Sequence, residues 1–204
     1  MGNPSGWVVA IDFGTAFSKA AAVPRDLPAP EALRRTRPLR VGEAAGTGNA
    51  HLVPSALFLQ DRQVYFGPDA VAQAQRSSVG KREALQSFKL LLGTNDLDTF
   101  LVTRPSRRVD PDGAFTYREL ITLYLAFFLG LVGQAFRDDP TITEGSVDTW
   151  RYTRPGWFTE RTQRDHIITV ELFSNAASVL AALPAQFWRE PLSYDVAKKA
   201  LAQA

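Results

Sequence analysis

The stretch Trp7–Val23, WVVAIDFGTAFSKAAAV, consists of two apolar runs interrupted by an aspartate, a glycine, a threonine and a serine. Trp7–Phe13 and Ser18–Val23 read as β-strands, the second ending at Pro24, and the residues between them as a tight polar turn. The turn holds more chemistry than a turn needs. Gly14 permits close backbone approach, successive turn N–H groups can converge on an anion, and the Thr15 and Ser18 hydroxyls add donors. Asp12, at the end of the first strand, is placed to support a hydrated Mg²⁺ accompanying such an anion. The result is a phosphate-and-metal clasp built on a hairpin, distinct from a Walker loop, which needs a lysine and a following helix. The same residues also suit an ordinary polar turn, so turn chemistry alone leaves both readings open.

The hairpin opens a chain of 204 residues, 45% of them hydrophobic, enough for one sizeable core or two small ones sharing an interface. Lysine and arginine number 23 against 21 aspartates and glutamates, and the basic residues are scattered or in short pairs. That distribution gives no footprint for nucleic acid or an acidic membrane. The absence of cysteine excludes disulfides, thiolate metal sites and cysteine nucleophiles, and His51 and His166, the two histidines, read as surface or core residues rather than ligands. A cytoplasmic location is the expectation. The segment Leu120–Phe136 falls short of the roughly 20 apolar residues of a spanning helix. Thr122, Tyr124 and Gln134 interrupt it, and it predicts a buried central helix instead.

Between these landmarks, PLRVG, SALFL and QVYFG predict three more short strands, with a polar, proline-rich connection through Pro28, Pro30 and Pro38. From Pro68 the spacing turns helical, in DAVAQAQ and then in REALQSFKLLLG, stopped by Gly93. LVTRPSRRVDPDG reads as loop or edge strand, and GTGNAH as a flexible loop without the strand-to-helix context of a dinucleotide site. Thr116 is placed to cap the central helix. DTWRYTRP predicts a strand up to Pro155, Thr159 the cap of a helix through QRDHIITVELFSNAASVLAAL, AQFWRE a short strand and YDVAKKALAQA a closing helix. Strands first, with helices between and after, predict an α/β or α+β domain. Lys89 is a lone lysine among leucines, either snorkelling to water or facing a phosphate.

Six blocks, in order along nearly the whole chain, resemble the first half of the ATPase domain of the seventy-kilodalton heat-shock chaperones, in the actin, sugar-kinase and heat-shock superfamily. AIDFGTAFSKAAAV is similar to that family's first phosphate hairpin, VPSALFL to its Thr-Pro-Ser strand at Pro54 and Ser55, and YFGPDAVAQA to its Val-Gly-x-x-Ala helix start at Gly67 and Ala70. FKLLLG resembles its Lys-Arg-Leu-Ile-Gly, with Lys89 four before Gly93. RPGWFTERTQRD resembles its Val-Pro-Ala-Tyr-Phe segment at Pro155, Trp157 and Phe158, and WREPLSYDVAKKAL its Asn-Glu-Pro segment at Glu190 and Pro191. Two departures stand out: Thr15 is followed by Ala16 where the family has a second threonine, and Gln163, between Arg161 and Arg164, takes the place of a switch arginine.

The resemblance implies an α/β fold, a ribonuclease-H-like actin-type ATPase lobe with a mixed sheet and flanking helices. Residues 1–56 and 114–204 would form the larger subdomain and 57–113 an inserted smaller α+β one. It implies binding of ATP or ADP with Mg²⁺: Gly14, Thr15, Ala16 and Phe17 on the phosphates, Asp12 on the metal, Lys89 near the γ-phosphate, Glu190 positioning the attacking water, and Pro155 and Arg164 in a nucleotide switch. The family's second phosphate loop and adenosine segment lie beyond Ala204, so hydrolysis is expected to need a second lobe, and client polypeptides or co-chaperones would be partners of the complete protein. Two other readings keep the fold: an actin-like filament or scaffold protein, and an interaction module that has lost the nucleotide.

Overall fold

The computed structural model describes residues 6–77, 82–142, 146–153 and 162–204. The opening hairpin forms as the sequence predicts. Strand β1, Gly6–Asp12, pairs antiparallel with β2, Phe17–Pro24, in a register that sets Asp12 opposite Lys19. The inward residues of β1, Val9 and Ile11, are fully or almost fully buried. On its other side β1 pairs in parallel with β8, Ser146–Tyr152, so the sheet is mixed. Two-residue strands β3, Arg37–Pro38, and β4, Val53–Pro54, both add to β2 and complete the order β3-β2-β1-β8. A second, antiparallel sheet has the order β7-β5-β6-β9, from Leu85–Gln86, Ala56–Gln60, Gln63–Phe66 and Leu192–Ser193. Its edge strand β9 comes from the C-terminal segment, so residues 57–113 share their sheet with residues outside them.

Helix α6, Tyr117–Arg137, is the central helix that the apolar segment predicts. Thr116 caps it in a capping box: the Thr116 hydroxyl accepts from the Glu119 N–H, and the Glu119 carboxylate accepts from the Thr116 N–H at 2.7 Å. By length and hydropathy α6 matches a membrane span, but 83% of its most apolar window is buried inside the protein. That surface is used by the core. Trp7 meets Phe136 edge-on, Phe66 stacks on Phe127 and Phe88 stacks on Tyr124, so α6 touches both sheets. The second long helix, α7, Thr162–Ala182, lies against α6 and buries Ile168, Leu172, Ala176 and Val179. Helices thus flank a mixed sheet, the α/β arrangement expected.

Several local expectations are corrected. In the proline-rich connection Ala29–Arg34 forms a helix, α1, with Pro30 in its first turn, where the missing N–H costs nothing. PLRVG is a strand only at Pro38, since Val41–Ala44 turns into helix α2, which buries Val41. DAVAQAQ is helical as predicted, within α3, Gly67–Arg76. REALQSFKLLLG is not one helix. Leu85 pairs with Leu57 in β7, Ser87 adopts the left-handed conformation at φ 59°, and only Phe88–Leu91, α4, is helical. The same apolar spacing is met because the strand buries Leu85, the start of the helix Phe88, and the residue just after the helix Leu92. Leu97–Val102 is a helix, α5, capped by Asp96; it takes in the first two residues of LVTRPSRRVDPDG, and the rest of that segment is loop as expected. AQFWRE forms a 3₁₀ turn at Phe187–Arg189 rather than a strand. The closing helix α8, Tyr194–Leu201, is capped by Ser193. Thr159, expected to cap α7, lies outside the described residues.

The 3₁₀ turn docks on α6 through Trp188, whose ring covers Gly130; a Cβ at that glycine would fall 2.5 Å from the ring. Gly130→Ala therefore has to displace Trp188, at a cost of about 1–3 kcal/mol in urea denaturation. Thr116→Ala, which removes the cap alone, is expected to lower stability by about 1 kcal/mol. Equal stabilities for the Gly130 variant and the parent would mean that Trp188 does not hold the two segments together.

Candidate functional site

The carboxyl ends of the parallel strands β1 and β8 lie side by side, the position at which open α/β sheets gather their ligands. The Thr153 N–H donates to the Ile11 carbonyl at 2.8 Å, which fixes Thr153 beside Asp12. Its hydroxyl donates to Asp12 Oδ1 at 2.6 Å. Lys89 reaches the same place from α4, donating through Nζ to Asp12 Oδ1 at 3.4 Å and to Thr153 Oγ1 at 3.2 Å. Lys19, across the hairpin, brings its Nζ to 3.5 Å from Asp12 Oδ2. Both carboxylate oxygens are thus engaged by ammonium groups. Partial burial pushes the Asp12 carboxyl up, but the Thr153 hydrogen bond, the charge and hydrogen bond of Lys89 and the charge of Lys19 together outweigh it and hold the pKa below 3.8.

The turn beside this cluster is tightly closed. A Cβ at Gly14 would sit 2.0 Å from the Phe17 carbonyl oxygen, so no residue with a side chain fits there without opening the turn. The Ala16 carbonyl accepts from the Ser55 N–H at 2.9 Å, which props the turn on the segment Pro54–Ser55. Among the described residues the N–H groups of Gly14, Thr15 and Ala16 have no protein acceptor. Backbone donors of a turn without protein acceptors are the kind of group that can hold an anion, and the two lysines meet at the adjoining Asp12. Beneath the turn Phe13 packs against Phe88 and Tyr124, at ring-centroid distances of 5.9 and 5.8 Å.

The structure therefore brings together Asp12, Lys89 and the turn Gly14–Phe17. It does not bring Glu190 to them. Glu190 follows the 3₁₀ turn at the β9 edge, across the second sheet from the β7 edge that leads to Lys89, and it lines a separate cavity with Gln63, Pro191 and Ser193. Arg164, in the first turn of α7, is also elsewhere: its guanidinium binds the Asp98 carboxylate on α5, which Arg118 of α6 approaches at 3.8 Å. Pro155 lies outside the described residues. Both histidines are exposed, His51 Nδ1 lying 3.1 Å from the Leu39 carbonyl and His166 Nδ1 3.1 Å from the Tyr152 hydroxyl. Among the described residues no three acidic or histidine side chains form a metal-binding group.

Sequence reasoning missed two members of the cluster. Lys19 was legible in principle, because hairpin register sets it opposite Asp12 and directly opposed residues share a face of the sheet. Thr153 carries no such signal; its role comes from pairing between strands that are distant in sequence. In comparison with known proteins, no family model and no curated protein matches this chain.

The depressed Asp12 pKa links the cluster to stability. The contribution is complete above the ordinary value of 3.8 and is lost as pH falls through the lowered folded value. Carbon-detected NMR titration of Asp12 is expected to give a midpoint below 3.8, and Lys89→Met to move it upward. A midpoint unaffected by Lys89→Met would mean that the ammonium group does not act on the carboxylate.

Proposed function

We propose that this chain binds a nucleotide by its phosphates at the β1–β2 turn, as the first lobe of an actin-type ATPase of the heat-shock chaperone kind. The observation that carries this reading is the meeting of Lys89 with Asp12. The two are 77 residues apart in sequence, one at the end of β1 and the other on α4, and converge beside a turn in which the N–H groups of Gly14, Thr15 and Ala16 have no protein acceptor among the described residues. A polar hairpin turn serving only as a turn has no need of a distant lysine. In this reading the backbone donors of Gly14, Thr15 and Ala16 hold the phosphate oxygens, which makes the missing second threonine at Ala16 tolerable. Lys89 exchanges Asp12 for the terminal phosphate, and Thr153 keeps the freed carboxylate in place.

Binding is a different matter from turnover. Among the described residues the side-chain polar contacts of Asp12 and Lys89 are with each other, Lys19 and Thr153, and no second carboxylate there enters the cluster to orient an attacking water. Catalysis of phosphoryl transfer depends on positioning and on charge stabilisation from several sides. The cluster supplies one side. Hydrolysis is accordingly assigned to a complete protein in which a second lobe faces this turn, with the ribonuclease-H-like architecture of such lobes as its frame.

Titration of Mg-ATP into the ¹⁵N-labelled chain is expected to shift the amide signals of Gly14–Phe17, with an affinity of roughly millimolar, a free energy of about −4 kcal/mol. Lys89→Ala should weaken that binding at least about fivefold while changing stability by less than about 0.5 kcal/mol, since the side chain is partly exposed. Saturating ATP that leaves the hairpin amides unmoved would falsify the assignment.

A further inference from the structure

The Asp12 cluster holds two ammonium groups against one carboxylate. Lys89 is the more enclosed, its side chain 26% exposed, and is tied to both Asp12 and Thr153. Lys19 is 58% exposed, and among the described residues its ionic contact is with Asp12 Oδ2. Its four-carbon stem leaves the ammonium free to swing over the turn, one strand residue away from the buried Ser18. A divalent cation does not fit this arrangement as a resident group. The cluster offers one carboxylate, each of its oxygens already faces a positive charge, and no further acidic or histidine side chain completes a metal-binding group among the described residues. An anion fits it well. Two lysines leave an excess positive charge next to a turn with three N–H groups that lack a protein acceptor among the described residues.

We propose that Lys19 is a phosphate-binding residue that supplies, at this turn, the positive charge a divalent cation would otherwise bring, so that phosphorylated ligands bind here with or without their metal. The proposal rests on the reading of the β1–β2 turn as a phosphate site. When the anion arrives, Lys19 leaves Asp12 Oδ2 and turns to the phosphate oxygens lying on Gly14, Thr15 and Ala16. The exchange replaces one partly solvated ion pair with another, so it meets little resistance. Asp12 retains Thr153 as donor, and the charge it loses from Lys19 is balanced by any cation that accompanies the ligand. Lys19 and a metal ion thus compete for one role, and each weakens the requirement for the other.

The test uses the whole chain, ADP as probe, and calorimetry with amide NMR in excess Mg²⁺ and in EDTA. The parent should bind ADP in EDTA no more than about threefold more weakly than in Mg²⁺. Lys19→Gln should lose at least about tenfold in EDTA and less than about threefold in Mg²⁺, and Lys19→Arg should retain binding in both. Circular dichroism melting of the variants controls for folding. If Lys19→Gln matches the parent in EDTA, or if the parent itself binds only with Mg²⁺, the role of Lys19 is overturned while the hairpin remains a phosphate site. If ADP leaves the Gly14, Thr15 and Ala16 amides of the parent unmoved even in Mg²⁺, the phosphate site itself is lost, and the role of Lys19 with it.

Discussion

Phe13, Phe88 and Tyr124 meet in one buried aromatic cluster, Phe88 lying 4.5 Å from the Tyr124 ring and Phe13 within 6 Å of both. Each of the two phenylalanines is the sequence neighbour of a polar residue at the candidate site, Phe13 of Asp12 and Phe88 of Lys89. Burying an aromatic side chain contributes roughly 1.5–3 kcal/mol, and a well-placed ring pair roughly 0.5–1.5 kcal/mol more. A partly exposed ion pair contributes at most about 1 kcal/mol. Packing therefore decides where the ends of β1 and α4 lie, and the ionic contact follows from it. The left-handed conformation of Ser87 belongs to the same logic, since it turns the chain out of β7 so that Phe88 enters the core and Lys89 emerges beside Asp12. A non-glycine residue held there stores about 1–3 kcal/mol of backbone strain, which the burial of Phe88 offsets.

Polar groups beneath the turn add direction to this packing. Ser18 and Ser55, both buried, share a hydrogen bond of 2.9 Å, and the Tyr124 hydroxyl lies 3.2 Å from Ser18 Oγ and from the Pro54 carbonyl, donating to them. Each buried hydroxyl would cost about 1–3 kcal/mol if left without a partner, so β2, the Pro54–Ser55 segment and α6 can meet in very few arrangements. Burial pushes the Tyr124 pKa up to about 12, against the lowering effect of its serine partners, so it stays a neutral donor across the physiological range. The turn Gly14–Phe17 is thus mounted on a fixed base through β2 and the Pro54–Ser55 segment.

The features most legible in the sequence were those set by local chemistry. The hairpin follows from its two apolar runs, α6 from an apolar segment behind a threonine three residues before a glutamate, and Asp12 and Lys89 from their resemblance to a phosphate clasp. What escaped was set by contacts between distant segments. Leu85 and Phe88 suit one helix by spacing, but Leu85 became strand and Ser87 a left-handed turn, because β5 offered Leu85 a partner, and only from Phe88 is the segment helical. The short strand expected at AQFWRE became a 3₁₀ turn because Gly130 leaves a seat for the Trp188 ring. Glu190 shows the limit of transferring a role by motif: its Glu-Pro dipeptide matches, but β9 pairs with β6 and carries it to an edge away from the turn. Within the cluster, Lys19 could have been found from hairpin register, whereas Thr153 depended on the parallel pairing of β1 with β8.

A rigid base and weak ionic contacts together define what the site can do. The Asp12 side chain is about one-third exposed, and its contacts with the two lysines, at 3.4 and 3.5 Å, are long for charge-assisted hydrogen bonds, which cluster near 2.7–2.9 Å. The Thr153 contact, at 2.6 Å, is the firm one. Asp12 is consequently oriented by a neutral hydroxyl and neutralised by mobile charges. A carboxylate locked by a short, dry, bidentate guanidinium pair would have to give up several kcal/mol before releasing its partner. Here the orienting bond is short and the neutralising ones are long, so under the proposed function an incoming anion would recruit the lysines without disturbing the strand ends that position them. In the proposed phosphate site, a division of labour between a fixed donor and exchangeable cations would let one carboxylate hold its place while it yields its counter-charges to a ligand.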